Sequence, residues 1–343
     1  MDIVILLLIT LLIYLLPQNK EYLCVKSTSG LRGLLALGII FHHLSPWVTT
    51  GSEFSNFSYM GAYIVSIFFF LSAYGLYNQN ENKKNYLDKF LVTRLSKILL
   101  PFFAVSLIYL LYRFVDGQLL DLNFFISLFK NGSTIIFNGW FVNVIILLYI
   151  FFYTSFNFLQ NKLLSIILNS ILIIFYICLA IKMGYGFWWY NSAVAFILGL
   201  IWAKYQDVID KVLDRYYFVV LISVAVLLFV SHHYGNLLSY LHIEDSYSYA
   251  LAANINNIIF TIYFIVSFLK KINFSNVFLI LLGGISFELY MIHGLVISML
   301  GKIFVSSPVN DVLLTIFTLF ISISLAWIVN KLVNTITTKV NLL

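Results

Sequence analysis

Three ionisable side chains lie in an apolar stretch near the start of the chain. Residues 31–44 read LRGLLALGIIFHHL and contain Arg32, His42 and His43. An imidazole can take a proton from a hydroxyl near neutral pH, and a guanidinium suits anionic groups such as phosphates. Ionisable groups in hydrocarbon cost several kcal/mol unless they face a protein interior or water. A helix with this sequence therefore needs protein or water around these groups.

The spacing of Arg32 and His43 predicts that both side chains project from one face of a helix. His43 follows Arg32 by eleven positions. At about 100° per residue these steps end about 20° beyond three complete turns, roughly 16 Å along the axis. His42 points about 80° away from Arg32. Small residues such as Gly33 and Gly38 leave room for neighbouring helices. This pattern is typical of a tunnel with a cation at its mouth and an imidazole at its end.

The composition identifies the elements that must position these groups. Hydrophobic residues make up 62% of the 343 and charged ones 10%, with a mean hydropathy of +0.96, whereas soluble domains average about 25% charged residues. The fold class predicted is all-α, a polytopic transmembrane helix bundle. The net charge of +6 indicates the cytoplasmic membrane surface and not nucleic acid. The lipid bilayer is the expected partner, and the oligomeric state is not readable from the sequence.

Hydropathy predicts about ten or eleven spans in one membrane domain, residues 1–343, without repeats. The first span lacks a basic n-region and a cleavage site, so it is expected to be a retained anchor. The eleven candidate spans are 3–16, 31–49, 57–77, 95–115, 135–157, 163–181, 185–203, 216–231, 249–269, 276–299 and 309–330.

The distribution of basic residues predicts the orientation. With the N-terminus outside and eleven crossings, sixteen of the 20 Lys and Arg residues lie in inner segments. The other four are Arg113, Lys130, Lys182 and Lys302. Cytoplasmic loops are enriched in Lys and Arg, so we predict an N-out, C-in topology. Arg32 then lies at the cytoplasmic end of its helix.

Two further segments bring polar groups to predicted inner ends of spans. The segment FFFLSAYGLYN contains Ser72 and Tyr74, and TRLSKILLPFF contains Arg94 and Lys97. Basic residues at such ends are commonly snorkelling anchors, and tyrosines commonly belong to the interfacial belt. Ligand binding is the alternative for both pairs.

The segment ISFELYMIHGL places Glu288 and His293 inside the tenth predicted span. Their five-residue spacing separates them by about 140° on a helix, so they are expected to face different neighbours. An intramembrane carboxylate is a functional candidate by default. A structural pair with an Arg or His, or a protonated carboxyl, is the alternative for Glu288.

An outer loop combines histidines with acidic residues, which could suggest a metal site. Their spacings fit no established ligand pattern, so a solvated loop without metal is expected. The residues are His232, His233, His242, Glu244 and Asp245.

Taken together, these segments resemble the acyltransferase 3 family of bacterial integral-membrane O-acyltransferases. The resemblance runs from about residue 28 to about 335, with a family core at 31–335 and an extra span and loop at 1–30. Its most specific part is an arginine, ten intervening residues and a histidine, which Arg32 and His43 fit. No SGNH-type domain is expected after the bundle.

Three other segments are similar to family motifs, with departures. FFFLSAYGLY has Ala73 where Gly is usual, and NGWFVNVIILLYI supplies a Trp-Phe stretch beginning at Trp140. ISFELYMIH resembles the late Ser-Tyr-x-x-Tyr-Leu-x-His motif, with Phe287 and Met291 in place of Tyr and Leu. The departure at Phe287 weakens any role for that side chain.

The resemblance implies an acyl donor at the cytoplasmic face, with acetyl-CoA as the expected co-substrate. Arg32, Arg94 and Lys97 would hold its phosphates, with Ser72 and Tyr74 as further donor-binding candidates.

The resemblance also implies that His43 acts as the general base for an acceptor hydroxyl; a covalent acyl-histidine is the alternative. Glu288 or His293 would orient His43 or assist the acceptor. Further site candidates are His42, Trp140, Tyr290 and His293.

The expected acceptor is a cell-surface polysaccharide, for example a capsule, or its lipid-linked precursor, in the bacterial cytoplasmic membrane. A polytopic transporter or flippase of a glycolipid or proton-coupled solute is the alternative, although no transporter-like internal symmetry is visible. A membrane sensor that has lost the chemistry is a further alternative, against which the intact His43 argues.

Overall fold

The computed structural model describes residues 3–130, 133–241, 243, 245–304 and 307–339. This part of the chain contains thirteen α-helices and no strand, which confirms the all-α prediction. The helices are α1 (Ile3–Tyr14), α2 (Val25–Leu44), α3 (Gly61–Asn82), α4 (Phe90–Val115), α5 (Leu122–Lys130), α6 (Trp140–Phe158), α7 (Lys162–Lys182), α8 (Val194–Lys204), α9 (Gln206–Tyr240), α10 (Ser246–Phe264), α11 (Val277–Gly284), α12 (Ser286–Gly301) and α13 (Pro308–Lys339). Short 3₁₀ helices occupy Glu53–Tyr59 and Phe187–Trp189, and a π-helix, Ile265–Leu269, continues α10.

Seven helices among the described residues are long and apolar enough to cross a bilayer. They are α3, α4, α6, α7, α9, α10 with its π-helical extension, and α13. An eighth crossing is possible if α11 and α12, which are bent by 75° relative to each other, count as one broken span. The helices are consistent with a polytopic membrane bundle.

Three of the eleven predicted spans fall on helices that miss these criteria. The predicted span 3–16 is the 12-residue α1, and 185–203 contains the 11-residue α8. At ~1.5 Å per residue both helices are shorter than a hydrocarbon core of ~30 Å. The predicted span 31–49 belongs to α2, which has 20 residues but is too polar to qualify by composition. The N-out, C-in orientation stays a prediction.

The described residues form two compact units. The first comprises Met1–Thr28, Val65–Tyr86 and Phe151–Asn276, and the second comprises Ser29–Ile64, Leu87–Ile150 and Val277–Leu343.

In the first unit, α9 packs against α1 and α10, and α8 packs against α7 and α10. Polar side chains also bond within this unit. Ser66 Oγ on α3 lies 2.9 Å from Thr261 Oγ1 on α10, and Asn257 Nδ2 on α10 donates over 2.8 Å to the carbonyl of Asn191, which precedes α8. Such bonds hold membrane helices together because lipid tails offer polar groups no partner.

In the second unit, α12 packs against α4 and α13, and small residues bring other backbones together. A Cβ atom on Gly33 would lie 2.8 Å from the backbone nitrogen of Gly283, and one on Gly38 would lie 2.9 Å from Ile64 Cδ1. Larger side chains at Gly33 would therefore separate α2 from α11. The close approach predicted for the glycines of α2 is confirmed.

Candidate active site

Two histidines from different helices meet in the second unit. His43 lies in the last turn of α2, and His293 lies near the middle of α12. The His43 Nδ1 and His293 Nε2 atoms are 2.7 Å apart, and the rings stack at 4.8 Å between centroids with 25° between planes. Every residue of α12 from Glu288 to Ile297 is buried, and His293 has no exposed surface. His293 is therefore enclosed by the protein, and half-buried His43 contacts it from α2.

The backbone determines which ring nitrogens carry the protons. His293 Nδ1 lies 3.1 Å from the carbonyl oxygen of Leu289, which can only accept, so this nitrogen donates. In neutral His293 the Nε2 atom is then the acceptor, and His43 Nδ1 must donate to it. His43 Nε2 therefore holds a lone pair, as a general base requires.

His42 connects the end of α2 to the following 3₁₀ helix. Its Nδ1 atom lies 3.0 Å from the carbonyl oxygen of Phe57, and its ring centroid is 4.8 Å from that of His43. The other nitrogen, Nε2, packs onto Gly61, where a Cβ atom would lie 2.5 Å away. These contacts fix the His42 ring beside His43.

A cavity of about 390 Å³ opens beside the histidines. This volume falls within the range of ~300–1,000 Å³ typical of small-molecule sites. Both polar and aromatic groups face it, a mixture that suits a hydroxylated ligand. The lining residues are His42, His43, Ser45, Pro46, Trp47, Ser58, Phe137, Asn138, Gly294, Ile297 and Ser298.

One wall of the cavity comes from the segment before α6. The predicted span 135–157 starts within this segment, whereas α6 begins only at Trp140. Asn138 adopts φ +61°, in the left-handed region that Asn tolerates better than most residues. Its carbonyl oxygen accepts a hydrogen bond from the Tyr290 hydroxyl, which anchors the wall to α12. Tyr290 therefore has a structural contact at the site.

Two α4 side chains support the same wall. Arg113 Nη2 donates to the carbonyl of Ile135 over 3.2 Å, and the Arg113 guanidinium lies 4.8 Å from the centroid of the Phe137 ring. The Tyr109 ring packs edge-on against Phe137, and its hydroxyl donates to the carbonyl of Met291 over 3.0 Å. Neither side chain was predicted from the sequence to belong to the site. An arginine inside the predicted span 95–115 is the signal that could have found Arg113.

The predicted donor-binding cations are distributed over α2 and the start of α4. Arg32 is exposed and lies within electrostatic range of Tyr149 on α6. The same Tyr149 ring is 6.2 Å from Phe90, the first residue of α4. Arg94 and Lys97 follow one and two turns later in α4, half-buried and exposed respectively. Because α2 is unbroken from Val25 to Leu44, Arg32 and His43 keep their helical spacing of roughly 16 Å.

Glu288 faces away from the His43–His293 pair. Asn330 Nδ2 on α13 donates to Glu288 Oε1 over 2.9 Å, and Glu288 is buried. Glu288 and His293 thus contact α13 and α2 respectively, the different neighbours that their 140° separation predicts.

The remaining predicted site residues are placed as follows. The Trp140 ring contacts Phe141, 6.3 Å between centroids, at the start of α6. Ser72 and Tyr74 belong to the first unit, where the Tyr74 hydroxyl donates to Gln206 Oε1 over 2.5 Å.

His232 and His233 were predicted to lie in an outer loop, but the structure places both in α9, which continues to Tyr240. Within the described part of the chain, no group of three His, Cys, Asp or Glu could hold an ion. His233 Nδ1 lies 2.9 Å from the carbonyl oxygen of Phe229, and Asp245 caps α10 by accepting from the Ser248 backbone N–H. Hydrogen bonds from the Ser248 side chain and the Ser248 backbone N–H lower the pKa of Asp245. His242 and Glu244 lie outside the described residues.

The fold and this site define a multi-pass integral membrane protein with a histidine pair beside a small-molecule cavity. A family model described as an acyltransferase domain matches residues 26–331, most of the 343-residue chain. The chain therefore belongs to the acyltransferase 3 family. The match includes α2 and α12, which carry the histidine pair, and begins after α1. Neither the curated proteins nor the solved structures contain a significant match to the chain.

Proposed function

We propose that this protein transfers an acetyl group from cytoplasmic acetyl-CoA to a hydroxyl of a cell-surface polysaccharide, such as a capsule, or of its lipid-linked precursor, in the bacterial cell membrane. The observation that carries the proposal is the 2.7 Å contact between His43 and His293 beside the cavity. Family membership supports acyl transfer; the acetyl donor and the saccharide acceptor are our proposals.

In the proposed reaction, His43 acts as general base on the acceptor. Its Nε2 atom takes the hydroxyl proton while the hydroxyl oxygen forms a bond to the thioester carbonyl carbon. The tetrahedral intermediate collapses with cleavage of the C–S bond, and the imidazolium returns the proton to the CoA sulfur. The products are the O-acetyl ester and CoA thiol, and His43 is regenerated.

His293 contributes by accepting the His43 Nδ1–H. When His43 gains a proton, this hydrogen bond becomes charge-assisted and about twice as strong as a neutral one. The bond to Leu289 fixes the His293 ring in the accepting tautomer. His293 is thus proposed as a positioning residue that stabilises the protonated base.

The donor is proposed to enter from the end of α2 that carries Arg32. Guanidinium and ammonium groups suit phosphate oxygens, so Arg32, Arg94 and Lys97 would bind the phosphates of acetyl-CoA. The thin pantetheine arm would extend along the polar face of α2 to His43.

The acceptor is proposed to occupy the cavity lined by Trp47 and Asn138. Aromatic faces pack against the apolar faces of sugar rings, and amide and hydroxyl groups bond to their hydroxyls. Trp47 is 41% exposed, so its ring is accessible to a ligand.

The test compares O-acetyl content of the host's surface polysaccharide, by NMR, in the wild type, a deletion and complemented strains. Complementation with His43→Ala should fail, whereas the matched control His233→Ala, on α9 in the first unit, should restore acetylation at equal membrane abundance. Full restoration by His43→Ala would refute the mechanism. Unchanged acetylation of every glycan in the deletion would refute the acceptor and favour transport or another substrate.

A covalent acyl-histidine is the competing mechanism, since the same Nε2 lone pair could attack the thioester. Rapid quenching of purified protein with labelled acetyl-CoA and no acceptor distinguishes the two. Stoichiometric, hydroxylamine-sensitive label on His43 would establish the covalent intermediate and overturn the general-base mechanism.

A further inference from the structure

A second cavity, of about 400 Å³, lies in the first unit where α9 bends. At the bend, Tyr216 has the non-helical angles φ −125° and ψ 28°. The cavity is bounded by the end of α1, the bend itself and the turn that follows the π-helix. The lining residues that matter here are Tyr14, Gln18, Arg215, Tyr216, Tyr217 and Lys271.

Lys271 contributes a buried ammonium group to this cavity. Its Nζ atom donates to the carbonyls of Tyr14, over 3.0 Å, and Leu16, over 2.6 Å, and lies 4.5 Å from the Tyr217 ring centroid. An ammonium group has three N–H bonds, and the two carbonyls accept two of them. Among the described residues, no carboxylate lies within ion-pair distance of Lys271. Burial lowers the pKa of Lys271, and an anion in the cavity would supply the missing counter-charge.

Arg215 adds a second positive charge at the same cavity. It is exposed, with its guanidinium 5.0 Å from the Tyr216 ring centroid. Asp214 also lines the cavity but is 65% exposed and lies 4.0 Å from Lys270 Nζ. The charges of Arg215, Lys271 and Asp214 therefore leave the cavity with a net charge of one positive unit.

The surroundings favour a lipid over a soluble anion. Exposed apolar side chains flank the cavity, among them Leu15 on the α1 side and Phe218 and Val219 on α9. The predicted orientation puts Arg215 and Lys271 at the inner membrane surface. Anionic lipids concentrate at that surface, and basic pockets between membrane helices bind their headgroups.

We propose that this cavity binds the phosphate of an anionic phospholipid headgroup, held by Lys271 and Arg215 between α1 and α9. Tyr14 and Gln18 precede residue 26, where the family match begins. The site therefore depends on a helix outside the matched acyltransferase region, and the bound lipid would secure α1 to the rest of the first unit.

The test measures thermal unfolding of the full-length, delipidated protein in detergent as lipid is added. Dioleoyl-phosphatidylglycerol should raise the midpoint saturably, because a ligand that binds only the folded state stabilises it. Dioleoyl-phosphatidylcholine, with the same acyl chains, should not. Sodium phosphate at equal concentration is the soluble-anion comparison.

Arg215→Ala should weaken the apparent affinity for phosphatidylglycerol about fivefold, the factor expected from one basic residue near the headgroup. Lys211→Ala is the matched control, since it removes one exposed cation one turn earlier on α9 that does not line the cavity. Lys271→Met retains the stem over Tyr217 and should weaken binding further. Lys271 also bonds to the end of α1, so its replacement can prevent folding. In that case the Arg215→Ala result alone tests the proposal.

Equal responses of the wild type to the two lipids would overturn the proposal. Equal losses in Arg215→Ala and Lys211→Ala would also overturn it, because the cavity would then not be the site. A response to sodium phosphate alone would replace the lipid by a soluble phosphate compound.

Discussion

Replacing His293 tests the central contact of the proposed mechanism. His293→Leu removes the acceptor of the His43 Nδ1–H bond and fills part of the ring's volume. Hydrogen bonds to charged groups contribute ~1.5–3 kcal/mol, and each 1.36 kcal/mol in the barrier changes the rate about tenfold. We therefore expect kcat to fall about 10- to 150-fold. His43→Ala, which removes the base itself, should cost the ~10²–10⁴-fold typical of general-base catalysis.

His293→Gln is the conservative comparison. The Gln amide offers an NH₂ donor for the Leu289 carbonyl and an oxygen acceptor for His43, so both hydrogen bonds can persist. We expect His293→Gln to keep distinctly more activity than His293→Leu. A residue needed only to fill the core of α12 would show no such rescue.

The assay follows transfer of labelled acetyl groups from acetyl-CoA to glycan in membrane vesicles from the host, normalised to protein abundance. Donor binding and the unfolding midpoint of each purified variant serve as controls. The double variant His43→Ala/His293→Leu should be no slower than His43→Ala, because the two residues act as one unit. Less than a threefold loss in His293→Leu, or additive losses in the double variant, would contradict the proposed coupling of His293 to His43.

Three further predictions concern the donor, the acceptor and the packing of α12. Arg32→Ala should weaken acetyl-CoA binding, measured by titration calorimetry, about tenfold, as expected for a charge-assisted phosphate contact. A large loss of transfer with unchanged donor binding would contradict that role. Gly301→Ala should force Trp47 to move, because the new Cβ would overlap its ring. Since the lost aromatic contact contributes ~1 kcal/mol, we expect the acceptor KM to rise about fivefold, with the donor KM unchanged. Asn330→Leu leaves buried Glu288 without its bond and should destabilise the protein by ~1–3 kcal/mol, which thermal unfolding measures; an unchanged midpoint would mean that the bond contributes nothing.

Helical periodicity predicted much of the geometry around α2. Because α2 is a regular helix, the spacing of Arg32 and His43 translates directly into distance and direction. The separation of Glu288 and His293 on α12 followed from the same rule. Gly33 and Gly38 marked close packing because only a missing Cβ lets backbones approach.

The contact between His43 and His293 could not be predicted in the same way. It joins residues 250 positions apart, and helical periodicity says nothing about which helices pack together. The bend between α11 and α12 also escaped the hydropathy analysis, which treats 276–299 as one apolar run. Gly283 and Gly284 just before the bend are a local signal for it, since kinks occur at glycine pairs.

The cavity wall before α6 shows a related limit. Residues 135–139 are apolar enough to be read as helix, but Asn138 turns the chain into the left-handed region before α6 begins. The wall is held by tertiary bonds from Arg113 and Tyr290, which hydropathy does not detect.

The polar groups of α2 differ in how the protein accommodates them. His42 and His43 each use one ring nitrogen to bond within the second unit, so their burial is compensated. Arg32 remains exposed at the other end of the family's arginine–histidine motif. A helix made only to span lipid would gain nothing from this distribution, because an exposed guanidinium in hydrocarbon is costly. The distribution fits a protein in which exposed Arg32 binds an anionic donor and His43, fixed by His293, accepts the proton of the acceptor hydroxyl. For this reason we expect the Arg32 variant to lose donor binding and the His293 variant to lose the chemical step.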